Sequence, residues 1–219
     1  MKNIILMTLM LGIAFSQSAG YFANAGESMA SIEGSYDSES DANSSENTTT
    51  VGGSYVLDGN LEIAGFYTMA NVDDETESDL DFDISGLTFG GYYHLLSNDN
   101  LPVNIKLGGF YGDAVASADW LDDLEWELKS KATGFGGGVY KNISQNDAMT
   151  IVGFFEFHSV TSEAELSDSA GNEDVTKDDY GSTAFGLSIK NGNFFVTPSI
   201  VRNDDNSSFG ISVGLLFPQ

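Results

Sequence analysis

Residues 209–217 read Phe209-Gly210-Ile211-Ser212-Val213-Gly214-Leu215-Leu216-Phe217, and the alternation in this stretch decides how the whole chain is read. Side chains of a strand point to opposite faces in turn. Phe209, Ile211, Val213, Leu215 and Phe217 therefore share a wholly apolar face, and Gly210, Ser212, Gly214 and Leu216 share the other. The apolar face has to be covered, by a second protein layer or by lipid, and the rest of the chain selects between the two.

The 219 residues suit one domain, and 41% apolar residues is ordinary for a folded chain. The charge is not ordinary: 8 Lys plus Arg stand against 33 Asp plus Glu. Nucleic acid is excluded as a partner, because its phosphates would be repelled. The chain has no Cys, which removes disulfides and thiolate metal sites from consideration.

At the N-terminus, Met1-Lys2-Asn3 precedes an apolar run from Ile4 to Phe15, followed by the small residues Ser16, Ser18, Ala19 and Gly20. That order is the layout of a secretory signal peptide. Twelve apolar residues fall short of the ~20 that a membrane-spanning helix needs. Residues 1–19 are read as the leader, with cleavage after Ala19 or as late as Ala25, and the folded domain as 26–217.

Downstream, apolar-alternating runs of about ten residues end in turn signals. They predict strands at 28–36, 49–57, 61–71, 82–96, 103–112, 128–141, 148–162, 180–190, 194–202 and 209–217. The connections alternate between short and long. Asp58-Gly59-Asn60, 97–102, 142–147 and Asn191-Gly192-Asn193 are short, and two of them carry the Gly and Asn that tight hairpins favour. The long ones are 37–48, 72–81, 113–127 and 163–179, with a shorter fifth at 203–208; with the second extended to Asp83, these five hold 26 of the 33 acidic residues.

In an up-and-down meander, alternate connections emerge at opposite ends, so one end is elaborate and acidic while the other is tight. A soluble sandwich has no reason to sort its loops by parity, whereas a membrane imposes that sorting. The expected fold is an all-β, antiparallel, up-and-down transmembrane β-barrel of ten strands, with eight as the alternative. Facing sets agree: Leu61, Ile63, Gly65, Tyr67 and Met69 lie opposite Glu62, Ala64, Phe66 and Thr68. An apparent parity change at Ser85-Gly86 predicts a bulge, and the glycines at 134, 136, 137 and 138 leave either face of that strand possible. Pro198 removes one ladder donor.

With the leader, the hairpin parity, the run Gly90-Gly91-Tyr92-Tyr93-His94-Leu95 and the last strand in view, the sequence resembles the small, porin-like outer-membrane β-barrel proteins of bacteria with two membranes. The resemblance runs from about residue 26 onward and implies location in the outer membrane. It also implies that Phe209, Ile211, Val213, Leu215 and Phe217 form the insertion signal read by the barrel-insertion machinery. Outer-membrane lipid and lipopolysaccharide are the implied surroundings.

Candidate sites follow from residue type and parity. Asp73, Asp74, Glu75, Glu77, Asp79 and Asp81 offer oxygen ligands for Ca²⁺ or another divalent cation, without the spacing of an EF-hand loop; a solvated acidic loop is the competing reading. Glu33, Glu62, His94, Lys106, Glu156 and His158 are expected to face the lumen and pair there, since buried charge persists only when compensated. Tyr55, Tyr67, Tyr93, Trp126 and Tyr140 are the expected aromatic girdle. Trp120, Leu124 and Leu128 also fit one face of a short helix, with extension of the sixth strand through Trp126 as the favoured reading. His158 with Glu156 suggests acid/base chemistry, but Ser159 points the opposite way, so no catalytic residue and no cofactor is expected. The function expected is that of a structural or surface-interaction barrel with acidic extracellular loops. A small cation-preferring pore is the alternative, and a lipid- or peptide-hydrolysing enzyme a third reading.

Overall fold

The computed structural model describes residues 19–40, 44–74, 81–98, 101–146, 148–203 and 206–219. They form one closed sheet of ten antiparallel strands: β1 (Met29–Ser40), β2 (Ser44–Leu57), β3 (Leu61–Asp74), β4 (Phe82–Leu95), β5 (Asn104–Ser117), β6 (Trp126–Gln145), β7 (Met149–Asp168), β8 (Glu173–Asn191), β9 (Phe194–Asn203) and β10 (Asn206–Pro218). Each strand pairs with its neighbours in sequence, and β1 returns to β10 in a register from Met29↔Pro218 to Ser38↔Phe209. Every strand thus has two partners and no edge is left open. Two short helical segments accompany the sheet, α1 (Ala19–Phe22) and α2 (Asp119–Asp123).

The tight turns behave as their residues require. Asp58 and Gly59 both take positive φ, 52° and 72°, as the central residues of a primed turn closed by Asn60 N–H donating to the Leu57 carbonyl, which follows the twist of the strands. Transmembrane barrels place short turns and both termini on the periplasmic side, which orients this one. The connections after β1, β3, β5, β7 and β9 are therefore extracellular.

The outer face is apolar through the middle of the barrel. Phe209, Ile211, Val213, Leu215 and Phe217 are all exposed, while Leu216, on the alternate face, is fully buried in the lumen. Ile63, Tyr67, Leu87, Phe89, Leu107, Phe135, Phe155 and Phe185 continue the same belt. A water-soluble protein does not expose such a continuous surface, but lipid tails cover it at no cost.

Several expectations change in the structure. The long connections at 37–48 and 163–179 are largely strand, and 113–127 is strand at both ends around α2: β6 and β7 run for 20 residues each and β8 for 19. Pairing continues as far as Trp126↔Asp168 and Ser167↔Glu173, because hairpin hydrogen bonding need not stop where the lipid does. Since a tilted strand crosses a bilayer in about 9–11 residues, these three rise well above the membrane. Glu127, Lys129 and Lys131 mark the extension on the outer face of β6.

No bulge occurs at Ser85-Gly86; β4 stays in register with both neighbours. Phe82 and Ile84 face inward and pack with Val72, Ala114, Leu121 and Leu128 under α2, so an apolar cluster inside the extracellular mouth mimicked a change of parity. The irregularity lies instead at Asn142/Ser144 in β6. Gly134, Gly136 and Gly138 share the parity of the lumen-facing Leu128 and Ala132, opposite Val160, His158 and Glu156 of β7. Near Pro198 the β8–β9 ladder lapses between Gly186↔Ser199 and Ile189↔Val196.

Val213 sits at the centre of the five outward residues of β10. Replacing it, Val213→Arg, is expected to cost roughly 2–4 kcal/mol when folding into phospholipid vesicles is followed by urea titration. An unchanged midpoint would mean that this face does not meet lipid.

Candidate functional site: the plugged lumen and the acidic rim

Inward parity brings charged and aromatic side chains of β3 to β7 together in the periplasmic half of the lumen. Glu62, His94, Lys106, Glu156 and His158 are all nearly or fully buried there. Lys106 Nζ donates to Glu156 Oε1 at 2.8 Å and also lies 4.6 Å from the centre of the Tyr92 ring. His158 Nε2 and Glu156 Oε2 are 3.2 Å apart. His94 Nε2 lies 2.9 Å from Glu62 Oε2, and its Nδ1 lies 3.0 Å from the Tyr140 hydroxyl. Glu33, on β1, accepts a hydrogen bond from Ser212 Oγ at 3.2 Å.

Glycine makes room for these groups. A Cβ at Gly138 would stand 2.7 Å from Glu156 Cγ, and one at Gly136 2.7 Å from His158 Nδ1. The glycine run of β6 is thus the floor on which the Glu156 and His158 side chains lie.

The centre of the cluster is occupied by α1. Ala19, Gly20, Tyr21 and Phe22 are all buried. The Tyr21 ring stacks on Phe154, with centroids 5.0 Å apart and planes inclined by 17°, and its hydroxyl donates to Glu156 Oε1. Phe22 packs against Phe195, and the Tyr140 hydroxyl donates to the Gly20 carbonyl at 3.3 Å. The folded unit therefore includes a segment N-terminal to residue 26, where the sequence places the start of the domain. The Tyr21-Phe22 pair has no strand alternation and follows a leader-like stretch, so nothing in its pattern marks it as a plug.

Tyr140 is not in the girdle. It is only 2% exposed and faces the lumen, because the inward parity of Gly134, Gly136 and Gly138 carries through to it. Trp126 is not in the girdle either. It begins β6 opposite Asp168, above the outward charges Glu127, Lys129 and Lys131, and so stands clear of the lipid. Tyr55, Tyr67 and Tyr93 are exposed on the outer face. The alternative helix exists in part as α2, but its buried residue is Leu121, while Leu124 is exposed.

At the extracellular end, Asp81, Asp83, Asp119 and Asp123 line one notch beside Trp120 and Phe82. On the neighbouring hairpin, Asp168 accepts from the Asn172 side chain at 2.7 Å and from the Asn172 backbone at 2.8 Å; these bonds hold its carboxyl below the usual range. Of the expected cation ligands, Asp73 and Asp81 are exposed. Glu75, Glu77, Asp79 and the side chain of Asp74 lie outside the described residues. Among the described residues, no three His, Asp or Glu side chains are grouped to hold one metal ion.

A closed, even-stranded antiparallel barrel with an apolar belt outside and a polar interior is an outer-membrane β-barrel. No protein-family model and no curated protein matches the sequence. Solved structures similar to it include the transport unit of the autotransporter AIDA-I from Escherichia coli (11% identity, 100% of this chain and 96% of that chain covered, TM-score 0.48). Others are the translocator domain of the autotransporter NalP from Neisseria meningitidis (10%, 99% and 94%, 0.45) and the outer membrane protein OprG from Pseudomonas aeruginosa (12%, 88% and 96%, 0.38). None of these three reaches a TM-score of 0.5, and the assignment to the class stands on the closed sheet and its outer face.

Lys106→Met leaves Glu156 buried without its cation and is expected to cost about 3–5 kcal/mol, read as a lowered urea midpoint of the detergent-solubilised barrel. Adding Glu156→Gln to that variant should restore most of the loss; a single variant as stable as the parent would show that the pair is not compensating buried charge.

Proposed function

We propose that the protein is a non-conducting outer-membrane barrel with a structural and surface-interaction role, whose acidic extracellular rim engages cationic groups on what approaches the cell. The observation that carries the reading is the filled periplasmic half of the lumen, where α1, Tyr92, Lys106, Tyr140, Glu156 and Phe195 pack against one another across the barrel. A pore has to keep that section open. The rim supports the other half of the reading. Four carboxylates and an indole around one notch suit an amine or guanidinium, which charge attracts and an aromatic face accommodates.

The protein is further proposed not to be an enzyme. Glu156 is held by Lys106, Tyr21 and His158 together, and Ser159, next to His158 in the chain, points to the opposite face. Divalent cations are proposed partners of the rim as a whole rather than of one coordination site. Lipid and lipopolysaccharide surround the belt, and the insertion machinery would read β10.

Two measurements test the reading. Planar bilayers containing the purified protein should stay silent, and cation-selective steps would replace it with the pore. Spermine titrated by calorimetry should bind the detergent-solubilised barrel and bind at least about tenfold more weakly, or ~1.4 kcal/mol, after Asp81→Asn, Asp83→Asn, Asp119→Asn and Asp123→Asn together. Equal binding by both proteins would remove the notch from the proposal.

A further inference from the structure

We propose that a leader peptidase hydrolyses the Ala19–Gly20 bond, water leaving a carboxylate on Ala19 and an α-ammonium on Gly20, and that this ammonium is a structural cation of the mature barrel, held inside the lumen by Glu62. The site is the contact of Gly20 with the Glu62–His94 pair. A Cβ at residue 20 would stand 2.4 Å from His94 Cε1, 2.5 Å from His94 Nε2 and 2.6 Å from Glu62 Oε2, so the backbone of Gly20 abuts the His94–Glu62 pair. Glu62 has no exposed surface. Its Oε2 is 2.9 Å from His94 Nε2, but its Oε1, equally buried, has no hydrogen-bond partner. A buried carboxylate oxygen left in that condition costs free energy comparable to a lost charged hydrogen bond.

The charges around it point the same way. Of the carboxylates buried in this part of the lumen, Glu33 on β1 accepts from Ser212, and Glu156 holds Lys106 through its Oε1. Lys190 lies at the mouth, with Nζ 5.7 Å from the centre of the Phe22 ring. An α-ammonium carries three donors on a freely turning terminal residue and is charged at neutral pH. Placed on Gly20, it supplies the second cation and a donor for Glu62 Oε1.

The same geometry argues against cutting after Ala25. That cut would discard Tyr21, whose hydroxyl is bonded to Glu156, and Phe22, which packs on Phe195.

The test uses the full-length gene product recovered from the outer membrane. Intact mass and N-terminal sequencing should show a chain beginning at Gly20, whereas a start at Met1, Ala19 or Gly26 overturns the proposal. An amine-selective reagent at neutral pH should fail to label that terminus in the unheated, folded barrel and label it after boiling. Labelling in the folded barrel at the boiled rate also overturns it, even if the cut is where expected. In Glu62→Gln the terminus should be labelled at least tenfold faster than in the parent, while Glu33→Gln, at the lumen carboxylate bonded to Ser212, should leave the rate unchanged. Equal rates in the parent and Glu62→Gln would refute the ion pair while leaving the outer-membrane assignment and the rim untouched.

Discussion

Backbone hydrogen bonding inside lipid is the constraint on which this structure depends. A hydrocarbon core offers no partner to a free N–H or C=O, so a sheet that enters it has to close on itself. Closure here is the ladder between β1 and β10, from Met29↔Pro218 to Ser38↔Phe209. Once that seam exists, the outer face is free to be as apolar as lipid allows. The inner face must then solve a different problem, the burial of polar groups in a narrow space. The two faces answer to different solvents, and the strict alternation of β10 records both.

The lumen is solved unevenly along its length. In the periplasmic half, ion pairs, stacked rings and the α1 turn fill the section, with glycines of β6 making room for the side chains of β7. Near the extracellular mouth, Phe82, Ile84, Leu121 and Leu128 form a second, apolar closure beneath α2. Between and beside them lie buried hydroxyl and carboxylate groups of β1, β8, β9 and β10, among them Ser35, Asp37, Ser188, Ser199 and Ser212. The interior thus consists of two closures and a mixed middle, polar along β1 and β8 to β10 but apolar at Phe110, Ala132 and Val160, which is why its inward residues do not read as uniformly polar.

That unevenness explains what could be read in the sequence. Strand number, hairpin parity and the lipid-facing belt were legible because each rests on a period of two repeated ten times. The inward placement of Glu62, Lys106 and Glu156 follows from the same period. Tyr140 was misplaced because a run of glycines carries no facial signal, and only pairing with β7 decides which way it points. Phe82 and Ile84 suggested a slip because an inward apolar cluster looks, in one dimension, like the outward belt. Tyr21 lay beyond pattern altogether: a single turn held by contacts to β4, β6 and β7 has no periodicity of its own. Trp126 was assigned to the membrane edge because nothing local states how far pairing persists once lipid ends.

That persistence sets how far the tips of the long hairpins stand from the bilayer. From Phe157, the last lipid-facing ring of β7, to Asp168 is eleven residues, or about 36 Å of strand, and a tilt of about 40° leaves a height of about 27 Å. Screening at physiological salt acts over about 8 Å. The carboxylates at the tip of this arm are therefore electrically separated from the phosphates of the bilayer that anchors it. β6, β7 and β8 act as a mast, and the charge at its head responds to the medium rather than to the membrane below.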